Sequence, residues 1–62
     1  MDYKDRVLKE VQDLGVKVHK LNDFIKSDEF KVIEPIDQML LIQQYSYMYS
    51  YFNILEVRIE RF

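Results

Sequence analysis

Residues 43–53 read QQYSYMYSYFN, and the fold depends on whether this stretch is a strand or a helix. Tyrosine stands at every second position of YSYMYSY, an alternation typical of a half-buried β-strand. However, no glycine or proline lies between Pro35 and Phe62 to begin or end a strand. A helical spacing of three and four residues also runs through the stretch, at Leu41, Gln44, Met48, Tyr51, Leu55, Arg58 and Phe62. We therefore predict one long helix over residues 35–61.

A second helix is predicted over residues 2–26, from the apolar residues before this stretch. The same spacing links Val7, Val11, Leu14, Val18, Leu21 and Ile25, the pattern of a helix packed against another along its length. Asp2 is a suitable N-cap. Gly15 interrupts the helix at a cost of about 1 kcal/mol relative to alanine, which indicates a close crossing of a neighbouring helix or backbone approach to a ligand.

The connection, residues 27–34, is predicted to form a short helical turn. Ser27 is a plausible N-cap, and Pro35 suits the first position of the next helix. The fold class is therefore all-α: a single domain over residues 1–62, built as a two-helix antiparallel hairpin with a short intervening helical turn.

Self-association is expected because so short a chain buries only about 60% of its surface. The chain has no cysteine for a disulfide, and a single His19 makes a metal site improbable. Met48 and Tyr51 are predicted to face the first helix, whereas Tyr47 lies on a flank with Leu40 and Ile54. The other aromatic side chains, Tyr45, Tyr49 and Phe52, face elsewhere. A single partner helix cannot cover all these faces, so we predict a symmetric helical oligomer.

Composition excludes several functions. A net charge of −2 argues against general nucleic-acid binding. No apolar stretch is long enough to span a membrane, and the charged start MDYKDR is unlike a signal peptide, so we expect a cytoplasmic protein. We expect no enzyme, cofactor or metal, since the serines have only His19 as a possible base.

Binding is the remaining chemistry. The ends of a hairpin lie together, so Tyr3 and Tyr51 offer flat faces to a base while Arg6 and Arg58 offer forked hydrogen bonds to phosphate. In the alternative interpretation, Arg58 pairs across the interface with a carboxylate such as Glu10 or Asp13, and the tyrosines only pack.

The chain also resembles a group of small proteins of tailed phages, crAss-like phages among them. The residues that carry the resemblance are Arg6-Val7, Glu10, Asp13-Leu14, Lys17, Lys20-Leu21, Phe24-Ile25, Ser27, Phe30, Ile33, Leu40-Leu41, Gln44, Met48, Tyr51, Leu55 and Arg58-Ile59. More loosely, the arrangement is similar to the helical sponges with which phages disarm cyclic-nucleotide signalling, the anti-CBASS and anti-Thoeris proteins. These resemblances imply a phage protein of the host cytoplasm, with pockets between subunits that hold the signal without cleaving it.

The ligand site implied in this way contains six residues. Arg6, Lys17 and Arg58 would contact phosphate, Tyr3 and Tyr51 would stack, and Gln44 would lie on the same stripe as Tyr51 and Arg58. A different hypothesis is an inhibitor or oligomerisation module that grips a host defence protein through Tyr45, Tyr49 and Phe52.

Overall fold

The computed structural model describes residues 2–62, which form three helices. Helix α1 spans Tyr3–Ile25, α2 is a single turn at Asp28–Lys31, and α3 spans Pro35–Glu60. The tyrosine run lies wholly inside α3, so the predicted all-helical fold class is confirmed.

Local signals in the sequence explain where each helix begins. The side chain of Asp2 accepts a hydrogen bond of 3.0 Å from the Asp5 N–H, as predicted for an N-cap. The hydroxyl of Ser27 accepts from the Phe30 N–H and donates to the Phe24 carbonyl, so one side chain joins the end of α1 to the start of α2. Pro35 occupies the first turn of α3, where a missing N–H leaves no bond unmade.

Helix α3 runs back along α1. The contacts that show this join Tyr3 with Phe62, Glu10 with Tyr51, and Gly15 with Phe52. The result is an elongated body of 44 × 15 × 14 Å. A Cβ added to Gly15 would lie only 3.1 Å from the Phe52 ring, which confirms that this glycine permits a close crossing.

The core between the two helices is thin. Every member of the apolar stripe predicted for α1 is buried or half-buried, with Val7 and Val18 the most enclosed. Phe30 of α2 covers one end, with its ring edge-to-face against Phe24. Leu55 of α3 is the one side chain with no exposed surface among residues 2–62. So small a core gives little stability by burial alone.

The inner stripe predicted for α3 was partly wrong. Gln44, Tyr51 and Arg58 are exposed, and the neighbouring residues take their places against α1. The observed inner stripe consists of Leu41, Tyr45, Met48, Phe52, Leu55 and Ile59. The reason is the cost of burial: an unpaired amide in a core costs about 1–3 kcal/mol and an unpaired guanidinium costs more. The helix is therefore rotated so that less polar side chains face α1.

This rotation also corrects the expectation for the aromatic residues. Phe52, predicted to face away, packs on Gly15, and Tyr45 is half-buried. Tyr49 remains exposed and stacks on Tyr45 with ring centroids 5.9 Å apart. Tyr47 is 75% exposed, in agreement with its predicted place on an outer flank.

Candidate functional site

A groove between α1 and α3 is lined mainly by charged side chains of α1. It has a volume of about 380 Å³. Its lining consists of Arg6, Lys9, Glu10, Asp13, Leu14 and Lys17 of α1 with Tyr51 of α3. The α1 residues recur every three or four positions, so they form one face of that helix. The sequence spacing thus assembles the groove from consecutive turns.

The charges in this groove favour an anionic ligand. Arg6, Lys9 and Lys17 are positive, whereas Glu10 and Asp13 are negative, which leaves one excess positive charge in a protein of net charge −2. Arg6 and Lys17 are eleven residues apart, so they stand about 16 Å apart along the helix. A ligand that contacts both needs anionic groups at more than one point.

Tyr51 is held in the groove by its hydroxyl, which donates a hydrogen bond to the Glu10 carboxylate. This hydrogen bond is the main cause that raises the pKa of Tyr51 above its usual value of 10.0; partial burial and the negative charge of Glu10 add to it, and Arg58 opposes it. The phenol therefore stays neutral at physiological pH. The same contact fixes the direction of the ring, which is 42% exposed and offers a flat surface to the groove.

A second groove lies where the two ends of the chain meet. Tyr3, Arg58, Arg61 and Phe62 line a volume of about 250 Å³. The rings of Tyr3 and Phe62 meet edge to face with centroids 5.8 Å apart, and the Lys4 ammonium lies 5.8 Å from the Phe62 ring. Two guanidinium groups beside two rings are suited to contact an anionic aromatic molecule.

The structure places the six predicted site residues in three locations. Arg6, Lys17 and Tyr51 share the first groove, and Tyr3 and Arg58 share the second. Gln44 stands apart on the exposed surface of α3, with its amide 3.7 Å from the sulfur of Met48. The six residues therefore do not form one pocket within a single chain.

Within residues 2–62 of one chain, Arg58 forms no ion pair with Glu10 or Asp13, and a pairing of these residues across an interface stays a prediction. Within residues 2–62, side chains of opposite charge meet at Lys31–Asp28 and, if the imidazole is protonated, at His19–Asp23. Glu10 is occupied by the Tyr51 hydroxyl instead. Arg58 is thus available to a ligand or to another chain.

A third, more apolar groove of about 510 Å³ lies across α1 from the first. Val11, Gly15, Val16, His19 and Phe52 contribute to it. This groove was not predicted from the sequence, because Phe52 was expected to face away from α1. The signal that could have revealed it is Gly15, whose missing side chain leaves room for an aromatic ring.

Within residues 2–62, no helix is long and apolar enough to cross a membrane. No group of three His, Cys, Asp or Glu side chains in that part of the chain is arranged to hold a metal ion.

Comparison with known proteins assigns the chain to a family. The family model described as Sequestin matches residues 1–61. The chain belongs to the Sequestin family. It is also 37% identical over 60 residues to an uncharacterized 7.5 kDa protein in the denB-rIIB intergenic region of enterobacteria phage T4, a match that covers 97% of this chain and 94% of the relative. No solved structure matches.

These matches support the coarser expectation of a small phage protein. The more specific resemblance to proteins of crAss-like phages stays a prediction. The range matched by the Sequestin model, residues 1–61, includes every residue that lines the first and second grooves except Phe62.

Proposed function

We propose that this Sequestin-family protein is a phage anti-defence protein that binds a cyclic-nucleotide immune signal and holds it without cleaving it. The observation that carries the proposal is the first groove, which Arg6 and Lys17 line together with a Tyr51 ring oriented by its hydrogen bond to Glu10. A cyclic nucleotide has phosphates separated by flat bases, which matches separated cations beside an aromatic face. The family name itself suggests sequestration.

The proposed ligand site is completed by more than one chain. A groove of about 380 Å³ is near the lower end of the range of about 300–1,000 Å³ for small-molecule pockets. Tyr3, Arg58 and Gln44 lie outside it in a single chain. A symmetric oligomer of hairpins would bring further cations to each groove and exclude water from the bound phosphates.

The proposed role is stoichiometric binding without catalysis. None of the groove residues is a serine or histidine that could act as a nucleophile or base on a phosphodiester, and Tyr51 is a hydrogen-bond donor to Glu10. We therefore expect the ligand to leave the protein chemically unaltered.

Calorimetry tests this proposal with a panel of cyclic dinucleotides, cyclic trinucleotides and cyclic ADP-ribose isomers. We expect at least one to bind and to be recovered intact after heat denaturation. Arg6→Gln and Lys17→Gln should each weaken binding about ten-fold or more, because a charge-assisted hydrogen bond contributes about 1.5–3 kcal/mol. Lys26→Gln, which removes the same charge outside both grooves, is the control. Absence of binding across the panel would reject the proposal.

A second candidate is an inhibitor that grips a host protein. The apolar groove of about 510 Å³ beside Phe52 favours it, because exposed Tyr49 stands one turn of α3 away. Tyr49→Ala with Val16→Ala should then abolish anti-defence activity while leaving nucleotide binding unchanged. Loss of activity with Arg6→Gln alone would favour the nucleotide.

A further inference from the structure

Helix α3 carries a second stripe on the side turned away from α1. It comprises Ile36, Leu40, Gln43, Tyr47, Ser50, Ile54, Val57 and Arg61, again at alternating intervals of four and three residues. Every one of these residues is exposed, and its apolar members are exposed by 50% or more of their surface. Such spacing is the pattern by which one helix packs along another. No other helix of residues 2–62 covers it.

The surface area of the chain agrees with a missing neighbour. The accessible surface is 5003 Å². A folded monomer of 7.6 kDa is expected to expose about 4,300 Å². The excess accessible surface of roughly 700 Å² is close to the area that each partner buries in a standard protein–protein interface, which is about 800 Å². A shallow groove between Ile54 and Val57, about 280 Å³ in volume, leaves room for side chains of another helix.

The charges on α3 select both the partner and its direction. Asp37 lies at the start of the helix, and Arg58 and Arg61 lie at its end. In a parallel pair, Arg61 would face Arg61 of the second copy. In an antiparallel pair, each Asp37 approaches the Arg58 of the other copy, and the two-fold axis repeats this contact. On the flank that carries Asp37 and Arg58, α3 is thus complementary in charge to a reversed copy of itself, whereas Glu56 and Glu60 lie on a different flank.

We propose that two copies of this chain associate through the outer stripes of their α3 helices, in antiparallel orientation. Tyr47 and Ser50 lie near the two-fold axis, and Leu40 packs against Val57 of the second copy. Unlike the general expectation of an oligomer, this assigns the surface, the register and the direction of the interface.

This arrangement also brings Gln44 to the ligand groove. Asp37, Gln44, Tyr51 and Arg58 are spaced by seven residues along the flank between the outer stripe and the groove. In an antiparallel pair this flank faces its own copy, so Gln44 of the second copy stands beside Tyr51. The interface does not depend on any ligand; only the role of Gln44 as a ligand contact rests on the proposed function.

Cysteine cross-linking tests the direction, since the chain has no cysteine of its own. Ile36 and Arg61 are twenty-five residues apart, or about 37 Å along one helix, whereas a disulfide needs Cα atoms within about 7 Å. We expect a mixture of Ile36→Cys and Arg61→Cys chains to form a mixed disulfide dimer on oxidation. Ile36→Cys alone should not form one, and Lys20→Cys on α1 is the control. Disulfide formation by Ile36→Cys alone, or no disulfide in the mixture of Ile36→Cys and Arg61→Cys chains, would overturn the proposal.

Two further measurements make the result independent of one variant. Asp37→Arg and Arg58→Asp should each weaken the dimer about ten-fold in analytical ultracentrifugation, and the double variant should restore it. A parallel pair gives no such restoration, nor does a simple loss of folding.

In addition, a short bis-maleimide should join Gln44→Cys of one copy to Tyr51→Cys of the other. A monomer at micromolar concentration would refute the interface and leave the proposal of nucleotide binding to be judged by calorimetry.

Discussion

The contact between Gly15 and Phe52 offers a direct test of how α3 is rotated against α1. An alanine at position 15 would gain about 1 kcal/mol of helix propensity. Its Cβ would also meet the Phe52 ring at 3.1 Å, closer than an ordinary carbon contact, so the ring must move by a few tenths of an ångström. Overpacking costs about 1–3 kcal/mol, and the lower end applies because Phe52 is only half-buried. We therefore expect Gly15→Ala to change the free energy of unfolding by less than about 0.5 kcal/mol.

The two effects separate when the ring is removed. In a Phe52→Leu background, Gly15→Ala should stabilise the protein by about 1 kcal/mol, so the double-mutant cycle should show a coupling of similar size. The assay is urea unfolding followed by helical circular dichroism, at one fixed chain concentration because association shifts apparent stability. Ser46→Ala, an exposed change in α3, should have the same small effect in both backgrounds.

A gain of about 1 kcal/mol from Gly15→Ala in the parent chain would refute this reasoning. It would mean that Phe52 does not lie against Gly15. The inner stripe through Gln44, Tyr51 and Arg58 would then be the better description.

Three further perturbations address the core, the groove and the helix junction. Leu55→Ala should lower the free energy of unfolding by about 3 kcal/mol, because the side chain is fully enclosed; Ile54→Ala, 58% exposed, should have a much smaller effect on a dilute chain in the same unfolding experiment. Glu10→Gln should lower the pKa of Tyr51 toward 10.0, measured by tyrosinate absorbance with Tyr51→Phe as the blank. The hydrogen bond to Glu10 stabilises the protonated phenol of the folded protein and so raises the pKa of Tyr51. The contribution of this contact to the free energy of unfolding is therefore present below pH 10 and should be lost as pH rises through the pKa of Tyr51. Ser27→Ala should cost about 1 kcal/mol in thermal unfolding, because it removes the N-cap of α2; no loss would show that this cap is dispensable.

The helical fold could be predicted because two independent signals agreed. The spacing of apolar residues in α1 left one face to bury, and all of that face is buried or half-buried. In residues 43–53, the absence of strand boundaries outweighed the alternation of tyrosines. Local preference for strand was overridden by a helical pattern that extends far beyond the run.

The rotation of α3 could not be predicted by spacing alone. Leu41, Met48 and Leu55 belong to both possible inner stripes, and tyrosine is compatible with a core or a surface. What decides between the stripes is the polarity of the remaining members. Gln44 and Arg58 lose hydration when buried, whereas Phe52 and Ile59 do not. The polarity of Gln44 and Arg58 therefore favours the observed inner stripe, in which both residues remain exposed.

The sequence indicated which residue types would bind a ligand, but the predicted residues do not meet in a single pocket of one chain. Arg6, Lys17 and Tyr51 meet because α3 returns along α1, which a hairpin implies. Gln44 and Arg58 were assigned by their shared stripe, and that stripe is a solvent-facing flank. In the proposed assembly their relation to the groove depends on how copies pack, and the apolar spacing of one chain does not determine that.

Leu55 is the one side chain of residues 2–62 with no exposed surface, and so small a core has a consequence for how the protein folds in a cell. If copies associate through the outer stripes of α3 as proposed, a chain with so little interior of its own gains stability from its partner, so its folded fraction rises with its concentration. A protein that sequesters a target, as proposed for this chain, must in any case be produced in numbers that rival the target. We therefore expect one cellular concentration of the chain to determine both the fraction that is folded and the amount of target that can be bound.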